Sequence, residues 1–244
     1  MKKTEVGVVH HRGPPERSRR PVDFRTAQES KRAINFQRMT RSLPVREAME
    51  MLRPHDHVCL VYEDRHEWEE SVMPFLAAGL RRNQKCIYIV DAHTGKQVEG
   101  LLGKEGVEVK NAESSGQFEI LKEKDAYTQH GYFDPDMMIE FMVSETGKAI
   151  AEGYAAMRLS GEMSWALRGR TGSEKLLEYE SKLNRFFRNH SSLAICQYDL
   201  NRFSPEVIRG VILTHPLVLV NGYLYQNYNY MEPEEFLAQS RRRA

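Results

Sequence analysis

The chain has 244 residues, of which 41% are hydrophobic and 28% are charged. This length is sufficient to bury a core, and the composition is ordinary for a globular protein. No run of 18 or more apolar residues occurs, and the basic start lacks the apolar region of a secretory signal. The three cysteines, Cys59, Cys86 and Cys196, form no CxxC pair. They indicate reduced thiols, so we predict a cytoplasmic protein without a membrane span.

The net charge of +1 conceals an uneven distribution along the chain. Residues 1–46 hold 12 Lys/Arg and 4 Asp/Glu, whereas the remaining residues hold 23 and 30. We expect residues 1–44 to be a basic leader that is partly disordered or helical. The basic stretch 1–46 could contact nucleic acid or an acidic partner, and a solvated leader is the alternative interpretation.

Strands and helices are predicted in alternation along the body of the chain. Before it, a weak helical period between Lys31 and Leu52 is interrupted at Pro44, which predicts two short helices. Compact apolar runs are typical of buried strands, and apolar residues three or four apart are typical of helices. The first half is predicted to contain, in order, a strand at 57–62, a helix over 68–80, a strand at 85–90, a helix at 96–104, and short strands at 107–109 and 118–121.

The second half continues this alternation and ends in a hairpin. Asp134 is a good N-cap, with Pro135 at the first helical position. Asn221-Gly222 between two apolar runs is the strongest short-range hairpin signal. The predicted elements are a helix from 135, a strand at 155–160, a helix from 173, a strand at 192–198, a helix from 204, and hairpin strands at 217–220 and 223–228.

These elements predict an α/β fold with a mostly parallel sheet, helices on both faces and a C-terminal antiparallel hairpin. We assign residues 45–232 to this domain and residues 233–244 to a short polar tail. In such a sheet, ligands bind outside the carboxyl ends of the strands. That rule selects the residues following the strands: Tyr62, Glu63, Asp64, Asp91, His93, Gly161, Glu162, Trp165, Tyr198, Asp199 and Arg202.

The first strand-to-helix turn argues against a working phosphate-binding loop. Such a loop needs glycines for close backbone approach and a lysine to meet the phosphates. The turn at 62–70 contains no glycine and carries acidic side chains, and GxxxxGK[ST] occurs nowhere in the chain. We therefore expect no nucleotide hydrolysis. We further predict that the chain has no cofactor and no enzymatic activity.

Metal and thiol chemistry are the alternatives considered for the cysteines. His57 and Cys59 alternate along a predicted strand and so share one face, where imidazole and thiolate could bind zinc. Cys196 and His215 could approach each other in the fold, as a nucleophile with its base or as further ligands. A buried thiol among apolar neighbours is the simpler interpretation of both cysteines, and we adopt it.

Five segments carry a resemblance to a known family. They are, in order, HVCLVY at 57–62, RLSGEMSW at 158–165, CQYD at 196–199, FSP at 203–205 and THP at 214–216. Together they resemble the MEDS domain, the methanogen/methylotroph DcmR sensory domain, over about Val45 to Tyr230. The resemblance implies a fold similar to RecA and KaiC ATPase cores with the phosphate loop lost. It places the recurrent polar residues of the family at His57, Tyr62, Arg158, Glu162, Trp165, Tyr198 and His215.

The resemblance also implies an input domain for signalling. Family members occur in transcriptional regulators and beside histidine-kinase or anti-sigma-antagonist modules, and they have been proposed to sense small hydrocarbon-derived or one-carbon compounds. We predict a sensory domain that signals through such a partner protein. The predicted ligand contacts in the strand-end crevice are His57, Tyr62, Glu63, Arg158, Glu162, Trp165, Tyr198, Asp199 and His215. A nucleic-acid-binding regulator acting through 1–46 is the first alternative, and a metal- or thiol-dependent hydrolase is the second. The sequence leaves open whether the chain forms a homo-oligomer.

Overall fold

The computed structural model describes residues 43–241 of the chain. The predicted leader up to residue 42, with its first short helix and its nucleic-acid contact, lies outside the described residues. Eight strands form one sheet: Leu43–Pro44 (β1), His57–Tyr62 (β2), Lys85–Val90 (β3), Phe118–Lys122 (β4), Met157–Glu162 (β5), Ser192–Asp199 (β6), Leu217–Val220 (β7) and Tyr223–Gln226 (β8). The helices are Val45–Met51 (α1), Arg65–Arg81 (α2), Gly95–Lys104 (α3), Val109–Ser114 (α4), Pro135–Ala151 (α5), Leu176–Asn189 (α6), Pro205–Thr214 (α7) and Pro233–Arg241 (α8).

The strand order of the sheet is β1–β8–β7–β2–β6–β5–β3–β4. The six strands from β7 to β4 are parallel to their neighbours, while β8 and β1 pair antiparallel at one edge. Buried residues of α1 to α4 form a core on one side of the sheet, which we call the α2 face. Those of α5 to α7 form a core on the other side, the α6 face. The predicted fold class, with helices on both faces, is confirmed.

The C-terminal hairpin is closed by the predicted turn. Asn221 and Gly222 have φ values of 50° and 75°, the left-handed conformation that a two-residue type I′ turn requires at both positions. The carbonyl of Gly222 accepts a hydrogen bond from the N–H of Val45 at 2.9 Å. The hairpin turn therefore also fixes the start of the described domain.

The strand predicted at 107–109 is wrong, because Val109 begins helix α4 instead. Val109 and Ala112 are three residues apart, and both pack against the core of the α2 face from one side of a helix. The edge of the sheet is filled by β4, which pairs with β3 along its whole length. Two apolar residues alone did not specify a strand here.

The last described residues form helix α8, in the stretch assigned from sequence to a polar tail. Its Phe236 is 7% exposed. Ion pairs of Arg185 with Glu234 and of Arg188 with Glu232 join this region to α6. Within residues 43–241, none of the helices has both the length and the apolar character needed to cross a membrane.

Candidate functional site

Glu162 lies at the end of β5 and connects the carboxyl ends of neighbouring strands. Its Oε2 accepts hydrogen bonds from the backbone N–H groups of Asp91 (2.8 Å), Ala92 and His93 (3.0 Å). Its Oε1 accepts one from the Tyr88 hydroxyl at 2.7 Å and lies 3.0 Å from His93 Nδ1. Successive N–H groups in a turn make an anion-binding concavity. In this protein, the Glu162 carboxylate occupies that concavity.

The carboxyl group of Glu162 is held in its charged form. Burial raises its pKa, but the hydrogen bond and charge of His93, together with the hydrogen bond from Tyr88, outweigh burial and hold the pKa below its ordinary value. The ring of Trp68 stacks on that of His93, with the ring centres 3.8 Å apart. Trp68 Nε1 donates a hydrogen bond to Gln197 Oε1 at 2.7 Å. The Trp68 indole and the Gln197 amide therefore cover the hydrogen bonds of Glu162 on the α2 face.

The turn after β2 is closed by its own acidic side chains. Asp64 caps α2 by accepting a hydrogen bond from the N–H of Glu67 at 2.9 Å, and Glu67 accepts one from the N–H of Glu63 at 2.7 Å. The N-terminus of a helix is where a phosphate would bind. Carboxylates already occupy this one, in keeping with the missing phosphate loop. Tyr62 and Asp199 are paired in the sheet beside it.

Four buried aromatic residues, Tyr127, Phe133, Trp165 and Tyr179, form what we call the aromatic cluster on the α6 face. The Trp165 ring lies 4.4 Å from that of Phe133 and 5.0 Å from that of Tyr127, and Phe133 lies 5.4 Å from Tyr179. Among the described residues, Trp165 Nε1 has no hydrogen-bond partner, whereas the Tyr127 hydroxyl interacts with that of Tyr179. Buried polar groups are normally paired, so an unpaired indole N–H inside an apolar cluster is unusual.

His57, Glu180, Cys196 and His215 form a second buried group on the same face, which we call the histidine cluster. One ligand-type atom from each lies within 4.8 Å of all the others. Glu180 Oε2 is 3.3 Å from His57 Nε2 and 3.3 Å from His215 Nε2. Cys196 Sγ is 3.5 Å from His57 Nε2. The four side chains come from β2, α6, β6 and the residue after α7.

The outer atoms of the histidine cluster are bound to the surrounding fold. His57 Nδ1 lies 3.1 Å from Asn184 Oδ1, and His215 Nδ1 lies 2.7 Å from the carbonyl oxygen of Val211. The Tyr198 hydroxyl donates to Glu180 Oε1. The inner atoms Glu180 Oε2 and His215 Nε2 make no hydrogen bond of good geometry among the described residues. The inner faces of these side chains are therefore aimed at one another.

Burial and the charges within the histidine cluster together shift the pKa values of its members. Burial and the neighbouring His215 lower the pKa of His57 to about 4. Burial raises the pKa of Glu180, but His215 and His57 outweigh it and hold that pKa well below its ordinary value. Burial and the charge of Glu180 raise the pKa of Cys196 well above its ordinary value. A thiol with a raised pKa is a poor nucleophile, which weighs against thiol catalysis at Cys196.

Arg158 lies apart from all of these groups. It sits near the start of β5, where its Nε donates to Gln84 Oε1 at 2.7 Å and its Nη1 donates to the carbonyl of Phe75 at 2.8 Å. Its guanidinium lies 4.5 Å from the centre of the Phe75 ring. Burial lowers the pKa of Arg158 to about 10. These contacts fix the packing of α2 on the sheet.

The structure does not gather the nine predicted site residues into one crevice. Successive strand residues face opposite sides of a sheet, so Glu162 and Tyr198 lie on different faces. Four of them lie at the carboxyl-end edge of the sheet: Tyr62, Glu63, Glu162 and Asp199. Trp165 lies in the aromatic cluster and Arg158 near the start of β5. His57 and His215 belong to the histidine cluster, and Tyr198 is bonded to it through Glu180. Cys59, named with His57 as an alternative metal pair, is outside the group that could hold a metal. Their role as ligand contacts stays a prediction.

Sequence reasoning missed two residues that complete these groups. Glu180 lies four residues after Leu176 and three before Leu183, on the buried side of α6. A charged residue on an otherwise apolar helix face is a signal that the sequence contained. Tyr127 lies in an irregular segment after β4, and no spacing pattern would have identified it.

The described residues form a mostly parallel α/β sheet in which carboxylates close the turn after β2. The sequence profile described as MEDS, MEthanogen/methylotroph, DcmR Sensory domain, matches residues 56–216. The chain belongs to this family of sensory domains, as the five motifs predicted.

The chain is similar to two known proteins. The chain is 26% identical over 164 residues to the transcriptional repressor DcmR of Methylorubrum extorquens, covering 66% of this chain and 58% of DcmR. The chain thus spans less than two thirds of the length of that relative. The crystal structure of a KaiC-like protein from Pyrococcus horikoshii OT3 superposes with a TM-score of 0.49 at 15% identity, covering 68% of this chain and 70% of that one. The family and DcmR support a sensory or regulatory role.

Proposed function

We propose that this domain senses a small, weakly polar molecule that binds in the aromatic cluster and reports its presence to a partner protein. The observation that carries the proposal is the unpaired Trp165 Nε1–H, which is fully buried among aromatic rings. A buried donor without an acceptor costs about 1–3 kcal/mol. A ligand that supplies the acceptor recovers that free energy, and it has to part the packed rings of Trp165, Tyr127 and Phe133 to reach the N–H.

The chemistry of the aromatic cluster defines the class of ligand. The ligand should offer a hydrogen-bond acceptor to Trp165 Nε1 and an apolar remainder to the rings. Met138 and Met163 belong to the same core, and methionine side chains adapt to ligands of different shape. One-carbon compounds and short hydrocarbon derivatives that carry oxygen meet these requirements.

A route from the ligand to the surface runs through the short helical segment Met163–Arg168, which carries Trp165. At the end of this segment, Arg168 forms ion pairs with Asp91 at 2.5 Å and with Glu123 at 2.7 Å. A shift of Trp165 on ligand binding would strain these ion pairs at the carboxyl-end edge of the sheet. A signalling partner such as a histidine kinase, an anti-sigma factor or a regulator would read that change.

Intrinsic fluorescence tests the proposal, because the chain contains two tryptophans, Trp68 and Trp165. In Trp68→Phe, the emission reports Trp165 alone. We expect saturable changes in emission with at least one of methanol, formaldehyde, acetone and 1-propanol, and no such change in Trp165→Phe, which retains Trp68. Emission from Trp165 that stays constant across the panel, with the protein folded by circular dichroism, would count against this site.

A regulator that also binds nucleic acid is the second candidate, favoured by the likeness to a transcriptional repressor and by the basic stretch 1–46. Deletion of residues 1–42 removes most of the basic stretch and retains all of the described residues. If those residues supply the phosphate contacts, the deletion should reduce both DNA affinity and the dependence of affinity on salt. Salt-dependent binding that survives the deletion unchanged would remove this role from the leader.

A further inference from the structure

We propose that the histidine cluster is a closed metal site in which His57 Nε2, His215 Nε2, Glu180 Oε2 and Cys196 Sγ bind one zinc-like divalent cation. The distances fit such an ion. With metal–nitrogen and metal–oxygen bonds of about 2.0–2.1 Å and a metal–sulfur bond of about 2.3 Å, tetrahedral neighbours are about 3.3 Å apart for N and O, and about 3.5 Å for N and S. Three of the six separations match these values: 3.3 Å from Glu180 Oε2 to each Nε2, and 3.5 Å from Cys196 Sγ to His57 Nε2. The other three pairs of ligand atoms lie within 4.8 Å of each other.

Hydrogen bonds orient both imidazoles as metal ligands. Asn184 Nδ2 donates to the carbonyl of Thr214 at 2.7 Å, which leaves Asn184 Oδ1 to accept from His57 Nδ1. The carbonyl of Val211 can only accept, so His215 Nδ1 carries its proton too. A ligating histidine characteristically donates its other ring N–H to a carbonyl or a carboxylate. When the imidazoles are neutral, this arrangement leaves both Nε2 atoms with lone pairs directed inward.

Those lone pairs meet a carboxylate oxygen rather than a donor. Glu180 Oε1 is already bonded to the Tyr198 hydroxyl, while Glu180 Oε2 and His215 Nε2 lie 3.3 Å apart without a hydrogen bond of good geometry. Three electron-rich atoms at this separation repel one another unless a positive charge lies between them. In the described part of the chain, the ion pairs of Glu180 are with the two imidazoles, and no lysine or arginine compensates its charge.

The cysteine favours a metal ion over a shared proton as that positive charge. A proton shared between Glu180 and one imidazole makes no use of Cys196, whereas the thiol supplies the fourth ligand of a tetrahedral ion. Two imidazoles, a carboxylate and a thiolate suit zinc. All four residues are 3% exposed or less. Because protein atoms fill all four positions, the ion would be structural or regulatory rather than catalytic. This inference does not depend on ligand binding at Trp165.

The test uses the full-length chain, purified without chelators and with any affinity tag removed. We expect about one zinc per chain by mass spectrometry of the metal content, either as purified or after reconstitution with Zn²⁺. With Co²⁺ in place of zinc, we expect visible absorption bands with the high intensity that is typical of tetrahedral Co²⁺. We also expect a thiolate-to-metal charge-transfer band. That band also distinguishes the site from binding at His10 and His11, which have no neighbouring cysteine in sequence.

Cys59→Ser is the matched control for Cys196→Ser. The two cysteines are paired in neighbouring strands and are both buried, but Cys59 is outside the proposed ligand set. We expect the charge-transfer band to be lost in Cys196→Ser and retained in Cys59→Ser. A folded wild-type protein that takes up less than about one-tenth of an equivalent of Zn²⁺ overturns the proposal in favour of a glutamate–imidazole ion pair. Co²⁺ spectra without a thiolate band overturn it as well, whether or not Cys196→Ser folds.

Discussion

Replacement of Glu162 by glutamine tests whether its charge holds the carboxyl-end network together. Glu162→Gln preserves side-chain volume, and the amide oxygen can still accept from the N–H groups of Asp91 to His93. The variant loses the charge that strengthens five hydrogen bonds, and its new NH₂ group faces Tyr88 and His93. Hydrogen bonds to a charged group contribute about 1.5–3 kcal/mol each, roughly twice the neutral value. Allowing for partial replacement, we expect a loss of about 2–4 kcal/mol in the free energy of unfolding.

Urea unfolding at pH 7 measures this loss, with Glu174→Gln as a control at an exposed carboxylate. With a slope of about 2 kcal/mol per molar urea, the midpoint should fall by about 1–2 M in Glu162→Gln. The control should change the free energy by about 0.5 kcal/mol or less. Equal midpoints for Glu162→Gln and the wild type would refute the reasoning.

The same variant predicts a pH dependence. The folded pKa of Glu162 lies below its ordinary value, so its stabilising contribution is complete above the unfolded pKa of about 4.3. The contribution disappears as the pH falls through the folded pKa. The difference in stability between wild type and Glu162→Gln should therefore be constant from neutral pH to about pH 5 and shrink in more acidic solution. A difference that grows on acidification contradicts the assignment.

Two further substitutions test the clusters on the α6 face. In Gly161→Ala, the new Cβ would overlap the Tyr127 hydroxyl, whereas a Cβ at Gly100 in α3 meets nothing within 4 Å. Gly161→Ala should lower stability by about 1–3 kcal/mol and Gly100→Ala should not lower it, as thermal or urea unfolding will show. Asn184→Ala removes the acceptor for His57 Nδ1. It should weaken zinc binding about 10–100-fold in a competition titration, and unchanged affinity would contradict the proposed role of Asn184 in orienting His57.

The fold was largely predictable because its signals are local and strong. The apolar run at 57–62 has the short length and the valines of a buried strand, and Asn221-Gly222 strongly favours a tight turn. The strand expected at 107–109 failed for the opposite reason. Two valines are too short a pattern, and the decisive contact of Val109 is with residues distant in sequence.

The candidate sites were less predictable, since they depend on which face of the sheet each residue occupies and on which helix covers it. His57, Tyr198 and His215 were all singled out, yet what unites them is Glu180, which α6 brings across from another part of the chain. Trp165 was expected at the strand-end crevice, and the structure instead packs it against Tyr127 and Phe133. Such packing cannot be obtained from strand order alone.

The most direct test of ligand sensing is the indole N–H signal of Trp165 in protein labelled with ¹⁵N-tryptophan. The two tryptophans give two indole signals, and Trp165→Phe identifies the one of interest. The proposal predicts that a ligand from the small oxygenated panel shifts the Trp165 signal downfield in a saturable way, because the unpaired Nε1–H gains an acceptor. The signal of Trp68, already bonded to Gln197, should move little. A Trp165 signal that no member of the panel shifts, or that shifts only in step with Trp68, would contradict the proposal.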